Sequence, residues 1–282
     1  MDSDALHYFV DLAAGSLNCI NGLTLSSEQR AALQTSLVIL KRNYKFSRVL
    51  FWGRILGIKG DYFIAQGIGE DEMNHKKTLY SLNCMDWHLL PPATDSMIAD
   101  AEFAAQGRFT GDPSHEYEHT ERQTQGEGDE TKEEEVTVKV NEESRLATTV
   151  FNIDKDASVV PRGAFIKTPS GKVQTNPSFG GLRPTEAAKL RNYLHFRKPV
   201  NLKTKSILEM AELNPAVDFL DPLSEDIPKG SWSLQSERGG TVCVLRSLLW
   251  QGLTFFHVPQ TPQHGYIYMG DGLMNLDLPF ML

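Results

Sequence analysis

The chain has 282 residues and a mass of 31.6 kDa, which predicts one large domain or two smaller lobes. Hydrophobic residues make up 40% and charged residues 23%, a composition that is typical of soluble globular proteins and excludes a disordered, collagenous or membrane-spanning chain. The net charge of −8 disfavours nucleic acid as a general partner, because an acidic surface repels the phosphate backbone.

The sequence predicts an N-terminal helical segment over residues 1–44. Apolar residues at helical spacing predict one helix over residues 4–14 and a second over about 27–43. Ser26 and Gln29 fit a capping box at the start of the second helix. Its apolar face needs a partner surface.

A β-meander lobe is predicted over residues 45–110. Apolar and β-branched runs separated by glycine-containing turns favour antiparallel strands here. The predicted elements are strands at residues 49–56, 62–65, 78–82 and 87–90, then a helix at 94–105 that Thr94 or Asp95 caps.

The next segment is strongly acidic, and we predict that residues 111–140 form a mobile linker. Eleven Asp and Glu face three Lys and Arg between residues 116 and 143. Such a stretch buries too little apolar area to offset its ordering entropy. The alternative is an acidic arm that docks on a basic partner. Val136, Val138 and Val140 alternate with polar residues, so a strand is expected to resume there.

A second β-rich lobe with helices is predicted over residues 141–282. Asn141 is the predicted cap of a helix that ends near residue 154, and a second helix is expected at 185–195. Short turns favour antiparallel pairing of the strands at 232–235, 241–250, 253–258 and 266–269. The predicted fold class is therefore α+β, with N-terminal helices and two antiparallel β-rich lobes connected by the acidic loop.

One string suggests metal chemistry. His115, Glu116 and His119 match H-E-x-x-H, in which a helix places both histidines on one zinc ion and the glutamate acts as base. The polar, turn-forming flanks lack the apolar side that such a helix needs. We therefore favour an exposed loop and keep a zinc-dependent hydrolase as the alternative function.

Two arginines and the end of the chain point to contacts rather than catalysis. Arg54 and Arg246 each lie inside an apolar strand, where the guanidinium either reaches water at a sheet edge or forms an ion pair. The apolar tail at residues 276–282 is expected to dock, either on its own core or on a neighbouring protein.

The cysteines and the N-terminal residues predict that the protein resides in the reducing interior of the cell. Cys19, Cys84 and Cys243 are odd in number and far apart, which argues against a disulfide framework or a cysteine zinc site. The acidic start lacks the basic region of a signal peptide.

Several strings resemble the radial spoke head proteins of motile cilia. They are FWGRILG at residues 51–57, DYFIAQG at 61–67 and RSLLW at 246–250. The resemblance is narrower than the whole family and points to one branch, distinct from the larger paralogous types 4 and 6. It rests on the string KTLYSLN at 77–83, on the last residues, 277–282, and on the length of the chain. Gln251 departs from the family pattern, which has proline there, and this affects only a turn.

The resemblance implies a non-enzymatic structural subunit of the axonemal radial spoke head, needed for spoke head assembly, central pair stability and the motility of cilia and flagella, sperm included. It implies no catalytic residue, cofactor or metal. The implied partners are head proteins of types 4 and 6, MORN-repeat head proteins, the upper spoke stalk and the central pair apparatus, without nucleic acid or membrane. The implied locations are the cytoplasm, the cytoskeleton and the axoneme of cilium and flagellum, kinocilium included. A free cytosolic adaptor is the remaining alternative.

Overall fold

The structure of the protein, a computed structural model, describes residues 25–125 and 132–281. The predicted helix over residues 4–14, Cys19 and the last residue of the tail, Leu282, lie outside the described residues. None of the described helices is both long and apolar enough to cross a bilayer. The α-helices are α1 (Ser27–Asn43), α2 (Asp95–Ala104), α3 (Glu142–Ala157), α4 (Pro184–Ala187), α5 (Ile207–Ala211) and α6 (Leu278–Met281).

Helices and strands together confirm the predicted α+β class. The strands are β1 (Arg48–Ile55), β2 (Tyr62–Ile68), β3 (Lys76–Ser81), β4 (His88–Leu89), β5 (Glu116–Gln125), β6 (Lys132–Asn141), β7 (Val159–Pro161), β8 (Phe165–Lys167), β9 (Val173–Thr175), β10 (Tyr193–His195), β11 (Trp232–Glu237), β12 (Val242–Ser247), β13 (Leu253–His257) and β14 (His264–Gly270).

Strands from both predicted lobes assemble into one sheet rather than two. Its eight strands follow the order β11-β12-β13-β14-β1-β2-β3-β4. Neighbours pair antiparallel except β1 and β14, which run parallel. The division into separate lobes at residues 45–110 and 141–282 therefore does not describe the sheet, because the β1–β14 pairing joins the two meanders edge to edge.

Both faces of this sheet are buried, which explains why its central strands are apolar almost throughout. Side chains alternate between the faces along a strand. On β2, Phe63 and Ala65 pack with the apolar face of α1, whereas Tyr62 and Ile64 pack with α3 on the opposite face. The sheet is thus the middle layer between two helices.

Helix α1 begins and ends as the sequence predicts. The Ser26 hydroxyl accepts from the Gln29 backbone N–H at 3.1 Å, and the Gln29 side chain accepts from the Ser26 N–H at 2.9 Å. Leu33, Leu37 and Leu40 are buried against the sheet. Helix α1 therefore covers one sheet face.

Most of the segment predicted as an acidic linker forms β-strands. Residues 116–125 and 132–141 form a two-stranded antiparallel ribbon, β5–β6, that leads directly into α3. Cross-strand pairs such as Tyr117 with Val140 and His119 with Val138 stabilise it. The alternation of the valines was the informative signal, whereas the acidic composition was not.

Two helix predictions in the C-terminal part need correction. The helix expected at 185–195 is a single turn, α4, followed by a 3-10 turn and strand β10, because residues 193–195 pair with β7. Helix α3 runs on to Ala157, and the Asn141 side chain makes no capping hydrogen bond. The four predicted strands at 232–269 are confirmed as β11 to β14.

A buried carboxylate at the start of α3 joins four parts of the fold. Glu142 is fully buried and accepts hydrogen bonds from Tyr62 at 2.7 Å, Tyr117 at 2.5 Å and the backbone of Thr110 at 2.8 Å and Gly111 at 2.7 Å. Burial works to raise the pKa of Glu142, but these hydrogen bonds outweigh it and lower the pKa to about 2. The carboxylate therefore stays ionised.

A second set of polar contacts fixes the end of α3. The Trp52 indole N–H donates to Asp154 at 2.7 Å, Tyr266 donates to the same carboxylate at 3.2 Å, and the Gln66 amide donates to its other oxygen. The Trp250 indole N–H donates to Asp156 at 3.1 Å. Two tryptophans from strings that resemble the radial spoke head proteins thus hold one helix on the sheet.

Candidate functional site

The H-E-x-x-H string is exposed, as we favoured, but most of it lies on a strand and not in a loop or in the helix that zinc binding needs. Glu116 and His119 belong to β5, and both histidines are exposed. His119 packs its ring edge-on against Phe103 of α2 with centroids 4.5 Å apart, and His115 packs against Tyr117 at 4.8 Å. The string contributes Tyr117 to the hydrogen bonds on Glu142, which is a structural role.

Strand geometry removes the basis of the zinc hydrolase alternative. Four residues along a strand span about 13 Å, whereas two zinc ligands must each lie about 2 Å from the metal. Glu116 also alternates with the histidines and so faces the other side of the ribbon, where Glu118 pairs with Lys139 at 2.5 Å. Within the described residues, no group of three His, Cys, Asp or Glu side chains is arranged to hold a metal ion.

Both strand arginines are paired within the chain. Arg54 lies on central strand β1, with its guanidinium 3.6 Å from the Asp61 carboxylate. Arg246 on β12 reaches Glu237 at 2.8 Å and Gln235 at 3.0 Å on β11. The ion-pair interpretation is therefore confirmed in its intramolecular form for both arginines.

The C-terminal tail docks in part. Leu278 is buried, and Asn275 ties the tail to the β12–β13 turn by donating from its backbone to Leu249 at 2.8 Å and from its side chain to Leu248 at 3.1 Å. The ends of the tail remain exposed: Leu276 by 72%, Phe280 by 89% and Met281 by 67%.

These exposed residues belong to a larger apolar surface, which we call the C-terminal patch. Its members are the exposed hydrophobic side chains next to the Asn275 contacts: Leu248, Leu273, Met274, Leu276, Phe280 and Met281. Exposed large apolar side chains that lie near one another mark interaction sites on folded proteins, so we treat this set as a candidate site. The sequence predicted the tail but not its neighbours on the β12–β13 turn.

The sheet offers a second surface for contacts at its β11 edge. In the described part of the chain β11 pairs only with β12, from Trp232 opposite Ser247 to Glu237 opposite Val242. Its outer backbone N–H and C=O groups thus have no strand partner there. The opposite edge, β4, has only two residues. An open edge of six residues can accept a strand from another chain.

The described cysteines are buried free thiols. Cys84 and Cys243 are buried and form no disulfide. Burial raises the pKa of Cys84 to about 12, which keeps this thiol protonated and unreactive.

Comparison with known proteins agrees with the resemblance seen in the sequence. The family model described as "Radial spokehead-like protein" matches residues 14–170. Proteins named "Radial spoke head protein 9 homolog" are similar over their full length and the full length of this chain, with 81% identity in Danio rerio, 57% in Bos taurus and 55% in Homo sapiens. The branch inferred from the short strings is thereby confirmed, and the chain belongs to the radial spokehead-like protein family.

Proposed function

We propose that this protein is a non-enzymatic structural subunit of the axonemal radial spoke head, needed for spoke head assembly, central pair stability and the motility of cilia and flagella, sperm included. The proposal rests on one observation: this chain shares 55–81% sequence identity, over its full length, with relatives that are named radial spoke head proteins. The proposal assigns no catalytic, cofactor or metal-binding residue.

The proposed partners are other radial spoke components: head proteins of types 4 and 6, MORN-repeat head proteins, the upper stalk and the central pair apparatus. The proposed locations are the cytoplasm during synthesis and the axoneme of cilia and flagella, kinocilium included, after assembly.

The physical argument for a structural role comes from the surfaces of the fold. Subunits of permanent complexes bury about 2,000 Å² or more, and these interfaces are more apolar than ordinary surface. The C-terminal patch supplies apolar side chains such as Phe280, and the β11 edge supplies unpaired backbone groups. We assign the first to side-chain packing with a head protein and the second to strand addition.

A substitution that spares the fold tests the C-terminal patch. The variant Leu276→Ser, Phe280→Ser, Met281→Ser removes exposed apolar groups and keeps the buried Leu278. We expect it to melt like the natural protein but to co-purify poorly with head proteins of types 4 and 6 after co-expression. Ile207→Ser with Leu208→Ser, which are 89% and 82% exposed on α5, is the matched control. Full recovery of the complex with the tail variant refutes the role of the patch.

Extraction of isolated axonemes separates a permanent subunit from a free adaptor. A structural subunit resists salt extraction and leaves the axoneme together with other head proteins. A protein that is washed out alone at low salt is an adaptor, and that result would contradict the proposed function.

A further inference from the structure

A cavity of about 410 Å³ lies between the sheet and the short strands that follow α3. The sheet forms its floor, and strands β7, β8 and β9 together with Phe196, which follows β10, contribute its roof. The roof includes apolar side chains, among them Val160, Phe165 and Phe196. This volume falls within the range of small-molecule sites, about 300–1,000 Å³ with mostly apolar walls and few polar groups.

The floor places two cations on the same face of three adjacent strands. Arg48 on β1 pairs in register with Ile68 on β2, and Ile68 pairs with Lys76 on β3. Partners in an antiparallel register share a face, so Ile68 lies between two basic side chains whose backbones are about 10 Å apart. Both basic residues line the cavity.

The donors of these cations are not all satisfied. Arg48 contacts Glu72 at 2.7 Å, but its buried Nε–H has no acceptor among the described residues. The Lys76 ammonium lies 4.7 Å from the centre of the Phe196 ring, and no described carboxylate lies within ion-pair distance of it. Among the described residues no protein group therefore competes for the N–H groups of this partly buried ammonium.

The acidic groups around the cavity are already engaged. Asp154 accepts from Trp52, Gln66 and Tyr266, and Glu72 accepts from Arg48. The pKa of Lys76 is lowered, mainly by burial and to a lesser extent by the positive charge of Arg48, although the charges of Asp154 and Glu72 work to raise it. These charges interact with Lys76 at a distance, which leaves its N–H groups available to a ligand.

We propose that this cavity binds a small molecule with one carboxylate and an apolar body. The carboxylate accepts hydrogen bonds from the Lys76 ammonium, the Arg48 guanidinium adds a second positive charge to the cavity wall, and the apolar body packs against Val160, Phe165 and Phe196. A charge-assisted hydrogen bond of this kind is roughly twice as strong as a neutral one. The site is independent of the proposed structural role, because it uses neither the C-terminal patch nor the β11 edge.

Three eight-carbon probes test the ligand chemistry on the full-length protein. Sodium octanoate, octanol and octylammonium chloride are titrated by calorimetry. We expect octanoate to bind at least about tenfold more tightly than octanol, a ratio that corresponds to about 1.4 kcal/mol, and octylammonium to bind more weakly still. Equal affinity for the three probes, or no saturable binding of octanoate, overturns the proposal.

The variant Lys76→Met assigns the binding to the cavity, since methionine keeps an unbranched apolar stem without the charge. We expect it to lose at least about tenfold in octanoate affinity and to keep its octanol affinity. Lys77→Met is the matched control, because Lys77 is the next residue of β3, is exposed and faces the other side. Unchanged octanoate affinity in Lys76→Met contradicts the assignment.

A measurement on the natural protein covers the case in which a variant fails to fold. Limited acetylation with acetic anhydride is followed by mass spectrometry with and without octanoate. We expect octanoate to slow acetylation at Lys76 and not at Lys77. Equal rates at Lys76 with and without octanoate overturn the proposal.

Discussion

The backbone of Gly53 on β1 lies directly against Tyr268 on β14, where the two halves of the sheet meet. A Cβ atom on Gly53 would lie 2.0 Å from the Tyr268 carbonyl oxygen. Gly53 also has a φ of 151°, which favours glycine. The close approach thus requires glycine at the only parallel pairing in the described sheet.

We expect Gly53→Ala to destabilise the protein strongly. The added methyl group clashes with backbone that cannot move without breaking the β1–β14 pairing, and overpacking of this kind costs about 1–3 kcal/mol before backbone strain is added. Chemical denaturation measures the loss in free energy of unfolding. Gly180→Ala is the control, since no atom lies within 4 Å of its Cβ position and its φ is not positive. Equal stability of the two variants contradicts this prediction.

Glu142→Gln is expected to destabilise the protein by about 2–4 kcal/mol, because the amide leaves buried donors without an acceptor. Glu143→Gln, at the partly exposed neighbouring residue, is the control and should cost much less. A loss in Glu142→Gln no greater than in the control shows that the hydrogen bonds on Glu142 are dispensable.

The same carboxylate predicts a dependence of stability on pH. The pKa of Glu142 is about 2 in the folded protein and 4.5 in its ordinary state, so its contribution is complete above pH 4.5. That contribution, roughly 3 kcal/mol from the pKa difference, is lost as pH falls from 4.5 towards 2. Urea denaturation across this range should show a shallower fall in Glu142→Gln than in the natural protein. Parallel curves would contradict the assignment.

His257 predicts a second pH effect at milder acidity. Its ring accepts from the Leu182 N–H at 3.1 Å and donates to the Gln263 carbonyl at 3.0 Å, which uses both nitrogens of a neutral imidazole. Burial lowers the pKa of His257 to about 4, so the unfolded chain takes up the proton first. Its contribution to stability is complete above pH 6.5 and falls by roughly 3 kcal/mol as pH drops towards 4.

Histidine NMR titration checks this directly. We expect the His257 ring signals to stay unchanged down to about pH 5, because burial holds the pKa of this histidine at about 4. A change in the His257 ring signals near pH 6.5, where a histidine in water titrates, is the contrary result.

Asp154→Ala is expected to cost about 3–5 kcal/mol, because Trp52, Gln66 and Tyr266 lose a shared acceptor inside the fold. Asp156→Ala is the matched control two residues later, where the carboxylate accepts from Trp250. Tryptophan fluorescence during urea denaturation measures both variants. If Asp156→Ala loses as much stability as Asp154→Ala, the three hydrogen bonds on Asp154 do not stabilise the fold more than the single one on Asp156.

Local signals in the sequence predicted most helices and strands. Contacts between residues that are distant in the sequence could not be predicted from it. The Ser26–Gln29 capping box and the apolar strands are local, so α1 and the two meanders were predictable. The parallel pairing of β1 with β14 has no local signature. A prediction based on short turns therefore favours two lobes where the chain forms one sheet.

The candidate sites divide in the same way. The tail could be recognised in the sequence as a candidate contact site because Phe280 and Met281 belong to an apolar run. The cavity was not, because Arg48 and Lys76 meet only through the register of three strands. Glu142 and Asp154 also gave no signal, since a carboxylate on a helix is ordinarily solvent-exposed and only tertiary packing buries it.

The β1–β14 pairing has a consequence for biosynthesis. While the ribosome is still making the middle of the chain, β1 has β2 on one side and an uncovered edge on the other, because its second neighbour emerges almost last. An unpaired strand edge can form hydrogen bonds with strands of other chains and so promotes aggregation until β14 pairs with it. A premature stop anywhere before β14 should therefore yield an insoluble fragment even though most of the other strands are present, and nascent chains should depend on chaperones until β14 has been made.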